Sequence, residues 1–168
     1  MAKPDLFGHV ESDAMFSPCR VWRWALIRSW SEVLPSVAFI GLNPSTADET
    51  LNDPTITRCI QFAKDWGFGS FVMLNLFGLR STDPNGLKGV SDPVGPENDK
   101  YIDLMIEQGR TIVAAWGSHK CVEKLIVPRA AEVLKRIPNS LCLGTNADGM
   151  PKHPLYLKRT TKPVPYER

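Results

Sequence analysis

The sequence lacks the motifs that identify several large enzyme classes. It contains no Walker loop, no GxGxxG, no HExxH and no GxSxG segment. These absences argue against P-loop kinases, simple Rossmann dehydrogenases, zincins and α/β-hydrolases. It also lacks any CxxC pair, since its cysteines are widely separated (Cys19, Cys59, Cys121 and Cys142). We therefore expect free thiols in a reducing cytosol, with no metal site and no cofactor.

Long apolar runs and a strong charge of one sign are also missing. No stretch approaches the roughly 20 apolar residues of a membrane span. Met1–Gly8 has no apolar run of the kind found in signal peptides. We therefore expect a soluble, cytoplasmic protein without a membrane partner. The net charge of +2 argues against a globally basic nucleic-acid-binding protein and is compatible with a local basic patch.

The composition is that of one globular domain. The chain has 168 residues, of which 43% are hydrophobic and 23% are charged. This length can bury a normal core without disulfides or metal ions. No internal repeat, low-complexity tract or linker divides the chain. We predict a single α/β domain over residues 1–168, with an extended, proline-containing tail at about residues 160–168.

Short apolar runs alternate with helical patterns along the chain. Four runs predict strands, namely Val37–Ile40, Phe71–Leu76, Thr111–Ala115 and Ser140–Leu143. A fifth segment within Val21–Arg28 has one uniformly apolar face, which predicts an antiparallel edge strand. Alternating strands and helices imply right-handed crossovers and a parallel sheet that is covered on both faces. The predicted fold is a three-layer α/β/α sandwich with a mainly parallel four-stranded sheet plus an edge strand.

Three segments predict helices. The first begins after Asp53, whose carboxylate can accept from first-turn amides, with Pro54 at the first helical position. The second covers Pro96–Gln108. The third is expected to be capped by Ser118 and to kink or break before Pro128, because proline removes a backbone donor.

Polar residues occur where the predicted strands end. The carboxyl ends of parallel strands meet at one edge of a sheet, and ligands bind there in open α/β folds. The polar candidates at or just beyond these ends are Asn43, Ser45, Asn75, Arg80, His119 and His153. We therefore predict a ligand-binding or catalytic site at this edge.

Three of these side chains suit the chemistry of a nucleobase. Asn43 can hold a water against a sugar carbon, Asn75 can bind a base edge, and His153 can donate to an oxygen that becomes negative. Each also has a structural alternative: Asn-Pro initiates turns, a strand-end amide can bind a neighbouring loop, and a lone histidine can be a surface residue. Only the nucleobase hypothesis requires the three to line one pocket, with tips within about 10 Å of each other.

Further residues are expected to complete such a site. Gly41 allows a ligand or backbone to approach closely, and Ser45 follows in the same loop. Trp116 or Phe77 is predicted to stack on the base. Three basic residues are predicted to bind phosphate at the rim, with a solvated surface as the alternative (Arg80, Lys152 and Lys158).

Together these segments resemble an uncharacterised bacterial and phage family, known as domain of unknown function 1643. The resemblance extends from about Cys19 to Leu157. It is carried by Gly41-Leu42-Asn43-Pro44-Ser45-Thr46-Ala47-Asp48, Asn52-Asp53-Pro54-Thr55-Ile56, Asn75-Leu76-Phe77 with Arg80, Ala115-Trp116-Gly117, and His153-Pro154-Leu155-Tyr156-Leu157. Membership of this family implies no established activity.

The same segments are similar, more distantly, to the uracil-DNA glycosylase superfamily. Gly41-Leu42-Asn43-Pro44-Ser45 resembles its first motif, which reads Gly-Ile-Asn-Pro-Gly in the mismatch-specific branch. Ala115-Trp116-Gly117 resembles a strand of the superfamily that ends in Trp-Gly. His153-Pro154 resembles the start of its His-Pro-Ser motif. The chain departs from the pattern at Leu155-Tyr156, which replaces a serine-led segment that contacts DNA.

This second resemblance implies a glycosylase-like enzyme that acts on a nucleobase in DNA or on a nucleotide, by water attack at the sugar carbon. Asn43 would position the water, Asn75 would bind the base, and His153 would stabilise charge on the departing base. The alternative is a non-catalytic protein that binds nucleic acid or nucleotides in the same pocket, in phage or DNA-modification systems. A third hypothesis is an enzyme that acts on free nucleotides.

Overall fold

A computed structural model describes residues 11–167, and the predicted α/β class is confirmed. The strands are β1 Glu11–Phe16, β2 Arg23–Ser29, β3 Ser36–Gly41, β4 Ser70–Asn75, β5 Thr111–Ala114, β6 Leu141–Cys142 and β7 Val164–Pro165. The α-helices are α1 Pro54–Asp65, α2 Asn98–Glu107 and α3 Glu123–Arg136. Short 3₁₀ turns cover Pro84–Gly89, Lys120–Val122 and Pro154–Tyr156. No helix within residues 11–167 combines the length and apolar character that crossing a bilayer requires.

The strands form one mixed sheet in the order β1-β2-β4-β3-β5-β6-β7. The pairs β4–β3, β3–β5 and β5–β6 are parallel, and these strands are the four apolar runs seen in the sequence. The remaining pairs, β1–β2, β2–β4 and β6–β7, are antiparallel. The sheet is therefore larger than the predicted four strands plus one edge strand.

Both errors in the predicted sheet lie at its edges. The strand expected within Val21–Arg28 exists as β2, but it is not an edge strand because β1 pairs with its outer side. The β1 sequence, Glu-Ser-Asp-Ala-Met-Phe, has no apolar run that would predict a strand. Within the tail that was predicted to be extended, β7 pairs with β6 and Tyr166 is buried, so the sheet gains a strand at this edge as well.

Two apolar clusters cover the two faces of the sheet. Val37 and Phe39 of β3 face the cluster that contains the buried residues of α1. Ala38 and Ile40 of the same strand face the cluster that contains buried residues of α2 and α3. This alternation is the period of two expected for a strand buried on both faces. The strand therefore separates α1 from the other two helices.

Local signals predicted the start of α1 better than the course of α3. Asp53 Oδ1 accepts from Ile56 N at 2.8 Å, as a helix cap should. Ser118 does not cap α3, since its hydroxyl donates to Asp148 instead. The helix also continues through Pro128 to Arg136, so of the predicted kink or break the break is wrong. Burial of its apolar face against the sheet outweighs the hydrogen bond that proline removes.

A buried arginine on β2 holds the loop that leads into α1. Arg28 is fully buried. Its Nη2 donates to the carbonyls of Asp48 at 2.6 Å and Leu51 at 3.2 Å, and its Nε donates to Asn52 Oδ1 at 2.9 Å. Nη1 donates to the carbonyls of Asp13 and Ile27. One side chain thus connects β1, β2 and the segment that precedes the α1 cap.

We expect Arg28→Ala to lower the free energy of unfolding by about 3 kcal/mol or more, because several buried carbonyls lose their donors at once. Urea denaturation of both proteins measures this difference. The matched control is Arg159→Ala, which removes an exposed ion pair with Asp65 and should change stability by less than about 1 kcal/mol. Equal losses in the two variants would contradict the structural role of Arg28.

Candidate functional site

A cavity of about 170 Å³ lies beyond the carboxyl ends of the central parallel strands. Gly41 ends β3, Asn75 ends β4 and Ala115 follows β5, and all three line it. The walls come from the loop after β3, the first turn of α1, the 81–84 segment and two histidines. The lining side chains with polar chemistry include Arg23, Asn43, Ser45, Asp53, Asn75, His119 and His153. The edge of the sheet that the sequence indicated is therefore concave and polar.

Asn75 is almost fully buried where it lines the cavity. The residue is 2% exposed, and its side-chain Nδ2 has no hydrogen-bond partner within the described residues. The backbone around it is fixed, since Asn98 Nδ2 donates to the carbonyl of Asn75 at 2.9 Å. A buried amide donor without a partner is uncommon in proteins and destabilising. The floor of the cavity thus offers a donor to an acceptor on a ligand.

Gly41 makes room for this amide. Gly41 and Asn75 are paired in the parallel ladder. A Cβ atom at position 41 would lie 2.9 Å from Asn75 Oδ1, closer than side chains tolerate. Glycine is therefore favoured here by the close approach of a neighbouring side chain, rather than by a left-handed backbone.

Asn43 holds two loop segments together and also lines the cavity. Its Nδ2 donates to the carbonyls of Ser81 at 2.8 Å and Pro44 at 3.0 Å. Because carbonyls only accept, the amide nitrogen must face them, and Oδ1 remains an acceptor with no hydrogen bond to the described residues. The structural and functional alternatives for Asn43 are therefore compatible with each other.

His153 lines the cavity with a defined tautomer. Its Nδ1 accepts from Leu155 N at 3.2 Å, so the proton of the neutral ring is on Nε2. Burial lowers the pKa of His153, and nearby His119 lowers it further, while Asp53 opposes the shift. The ring is therefore neutral at neutral pH and can donate from Nε2.

His119 approaches the same cavity from the loop after β5. Its Nε2 donates to the carbonyl of Trp116 at 2.9 Å, since that oxygen can only accept. Gly117 has φ +72° and allows the two histidines to lie close together. A Cβ there would be 3.1 Å from His153 Cβ and 3.4 Å from His119 Nε2. His119, one of the polar candidates at the strand ends, therefore lines the cavity together with His153.

Sequence reasoning missed two charged residues of the cavity. Arg23 is 2% exposed and donates from Nη1 to the carbonyl of Ala47 at 2.8 Å, while its Nε has no partner within the described residues. Burial lowers the pKa of Arg23 to about 10, which leaves it protonated at neutral pH. Asp53 was recognised only as a helix cap, but its side chain also lines the cavity. For Arg23, the available signal in the sequence was an arginine within a largely apolar strand.

Two aromatic residues predicted to stack on a base lie elsewhere. Phe77 and Trp116 are both buried in the cluster on the α2 and α3 side of the sheet. Trp116 donates from Nε1 to Met150 Sδ and packs edge-on against Tyr166, with ring centroids 6.0 Å apart. Neither side chain lines the cavity. Beyond the strand ends, side chains point to one face of the sheet or the other. Residue type alone does not predict which face a given side chain takes.

The predicted phosphate-binding residues are dispersed. Arg80 packs over the Phe16 ring at 4.8 Å and does not line the cavity. Lys152 lines a wider adjoining groove of about 740 Å³, together with His153 and Tyr156. Lys158 is exposed and lines neither concavity. Of these three cations, only Lys152 borders the site.

No group of three His, Cys, Asp or Glu side chains in the described part of the chain is arranged to hold a metal ion. The polar side chains of the cavity instead carry amides, hydroxyls, imidazoles, one guanidinium and one carboxylate. These groups can bind a small polar ligand through directed hydrogen bonds.

The chain belongs to the family described as "Protein of unknown function (DUF1643)", whose model matches residues 23–155. The matched region includes every residue that lines the cavity, from Arg23 to His153. No curated protein and no solved structure matches the chain. The family resemblance drawn from the sequence motifs is therefore confirmed, and the resemblance to uracil-DNA glycosylases stays a prediction.

Gly41→Ala should displace the Asn75 amide, because the new methyl group would lie within 3 Å of its oxygen. We expect a loss of about 1–3 kcal/mol in stability and a shift of the Asn75 side-chain amide resonances in NMR spectra. Gly89→Ala is the control, since a Cβ at that position meets no atom within 4 Å. Unchanged Asn75 resonances in Gly41→Ala would contradict the proposed steric requirement.

The depressed pKa of His153 predicts a pH-dependent stability. Because the unfolded chain binds this proton more readily, the contribution is complete above the ordinary pKa of 6.5 and is lost as the pH falls through the lower folded-state value. His153→Asn removes the titrating ring and retains an acceptor for the Leu155 amide. We expect the melting temperature of the wild type to fall more steeply than that of the variant between about pH 7 and about pH 5. Parallel slopes would contradict a partly buried, neutral His153.

Proposed function

We propose that this chain binds a nucleobase in the cavity and hydrolyses the N-glycosidic bond between that base and its sugar. The observation that carries this proposal is the unpartnered amide of Asn75 on the cavity floor. A base carbonyl is an acceptor that such a donor can bind. His153 Nε2 adds a second donor and Asn43 Oδ1 adds an acceptor in the same cavity.

We also infer that the fold is a three-layer sandwich of the uracil-DNA glycosylase type. In support, the four parallel strands β4, β3, β5 and β6 are adjacent in the sheet. The helices are divided between the two faces, with α1 opposite α2 and α3. The antiparallel strands would then be additions at the two edges. The likeness is one of fold alone, and the proposed function rests on the site.

The proposed reaction breaks the bond between C1′ and the base nitrogen, and the electron pair leaves with the base. His153 would donate from Nε2 to a base oxygen as negative charge develops there. The positive charge left on the sugar is shared between C1′ and the ring oxygen, and a water oxygen then bonds to C1′. Asn43 Oδ1 would accept a hydrogen bond from that water and so fix its position.

The attacking water must also lose a proton, which an amide cannot accept. Asp53 is the only carboxylate among the described residues that line the cavity. Its Oδ1 is used in capping α1, and its second oxygen makes no hydrogen bond to the described residues. We propose that this oxygen takes the proton, so that one side chain both starts the helix and serves as the general base.

The proposal is tested by incubating the protein with duplex DNA, single-stranded DNA and free nucleotides that carry uracil, mismatched or modified bases. Base release, scored as free base and as abasic sites, supports hydrolysis. Tight binding without release would instead favour a binding protein that uses the same pocket. Turnover of nucleotides alone would restrict the activity to small substrates.

Asp53→Asn isolates the catalytic part of this proposal. Asparagine caps helices about as well as aspartate, so we expect the variant to fold normally. Base release should fall about 100-fold or more, because the general base is lost while the ligand contacts remain. Asp92→Asn is the control, since Asp92 also accepts a backbone amide, from Gly95, but lies outside the cavity. Undiminished release by Asp53→Asn would exclude Asp53 as the base.

A further inference from the structure

The guanidinium of Arg23 is a buried cation with most of its hydrogen-bonding capacity unused. It lines the cavity and is 2% exposed. Its hydrogen bond in the structure runs from Nη1 to the carbonyl of Ala47. Nε has no partner within the described residues, and no carboxylate there forms a salt bridge with this side chain. A buried charge with no counter-ion and few hydrogen bonds is destabilising, so its position in a cavity favours a ligand that supplies both.

Arg28, on the same strand, shows how a purely structural arginine is accommodated. All three of its guanidinium nitrogens donate to backbone carbonyls or to Asn52. Those bonds hold a loop and leave no group directed at a ligand. Arg23 differs because its surroundings are a cavity rather than a ring of carbonyls. The comparison separates a structural guanidinium from one that is available for binding.

The charges that act on Arg23 do not cancel it. The negative charges of Asp53 and Asp48 stabilise the protonated Arg23 guanidinium, whereas the positive charges of Arg80 and Arg28 destabilise it. These two carboxylates and two guanidinium groups act in opposite directions, and Asp48 already accepts from the amides of Thr50 and Leu51. Because no carboxylate within residues 11–167 forms an ion pair with Arg23, its own positive charge favours an anionic group at this end of the cavity.

We propose that Arg23 binds the phosphate of a free nucleotide whose base is bound at Asn75. The planar guanidinium fork matches a phosphate through two parallel hydrogen bonds. A terminal phosphate monoester can enter the cavity to reach a residue this deeply buried. A phosphodiester continues into sugars on both sides and is more readily bound at a rim, where Lys152 is the one predicted phosphate-binding residue that borders the site. The inference rests on the proposed function for the base, and it selects the nucleotide over DNA.

The test is isothermal titration calorimetry of the whole chain with deoxynucleoside 5′-monophosphates, the matching nucleosides, deoxyribose 5-phosphate and a short oligonucleotide without terminal phosphates. We expect at least one monophosphate to bind roughly 10- to 100-fold more tightly than its nucleoside, as a charge-assisted contact provides. Arg23→Met should abolish this difference, so that monophosphate and nucleoside bind the variant equally. Arg23→Met removes one hydrogen bond to the Ala47 carbonyl together with a buried charge that has no ion pair, so we expect the variant to fold, and thermal unfolding checks this.

Two further variants sharpen the test. Arg23→Lys keeps the charge and loses the fork, so it should lose most of the phosphate preference even though it is the more conservative change. Arg20→Met removes an exposed arginine that pairs with Glu49 outside the cavity. It changes net charge as Arg23→Met does, and it should bind every ligand as the wild type does.

Several outcomes would overturn the inference. These are equal binding of nucleoside and monophosphate, a phosphate preference that persists in Arg23→Met, tighter binding of the oligonucleotide than of any monophosphate, or no binding at all. Failure of the proposed function is a different result. If all monophosphates and deoxyribose 5-phosphate bind equally, with that binding lost in Arg23→Met, Arg23 still binds phosphate but base recognition at Asn75 is excluded.

Discussion

The site depends on the parallel pairing of β3 with both β4 and β5. This pairing brings three carboxyl ends to one edge and places Gly41 directly beside Asn75 in the ladder. The missing side chain of the glycine is what allows the asparagine amide to turn toward the cavity. A register shift of a single residue would reverse the side of the sheet on which these groups lie. The hydrogen-bonded register of the sheet therefore controls the geometry of the site more directly than any single loop contact does.

Two features could be predicted because they follow from simple rules. These are the central strands and the convergence of Asn43, Asn75 and His153. Parallel strands buried on two faces read as continuous apolar runs, and their carboxyl ends share an edge. The outer strands could not be predicted in this way: β1 is polar, and β7 is two residues long. Phe77 and Trp116 were placed at the right edge but on the wrong face, since side-chain direction beyond a strand end depends on tertiary packing.

Arg23 escaped prediction for a related reason. Its strand presents two arginines that are both buried, and residue type does not tell them apart. Their roles are set by what surrounds the guanidinium: carbonyls of a folded loop around Arg28, and an open cavity around Arg23. The desolvation of Arg28 is offset within the protein itself. The desolvation of Arg23 is not offset in this way and is left for a ligand to offset. An unsatisfied buried charge is therefore more informative about ligands than an exposed charge.

The polar residues of the cavity combine structural and chemical roles in the same side chains. Asn43 uses its amide nitrogen to hold the Ser81 segment, whose own amide donates back to the Pro44 carbonyl at 2.9 Å. Asp53 uses one oxygen to cap α1, and His153 uses Nδ1 to hold the turn that follows it. In each case the bond to the backbone fixes the side chain, so the second polar atom needs no reordering to meet a ligand. Groups held in this way before binding lose little conformational entropy when a ligand arrives, and a small cavity can then bind and orient its ligand with few contacts.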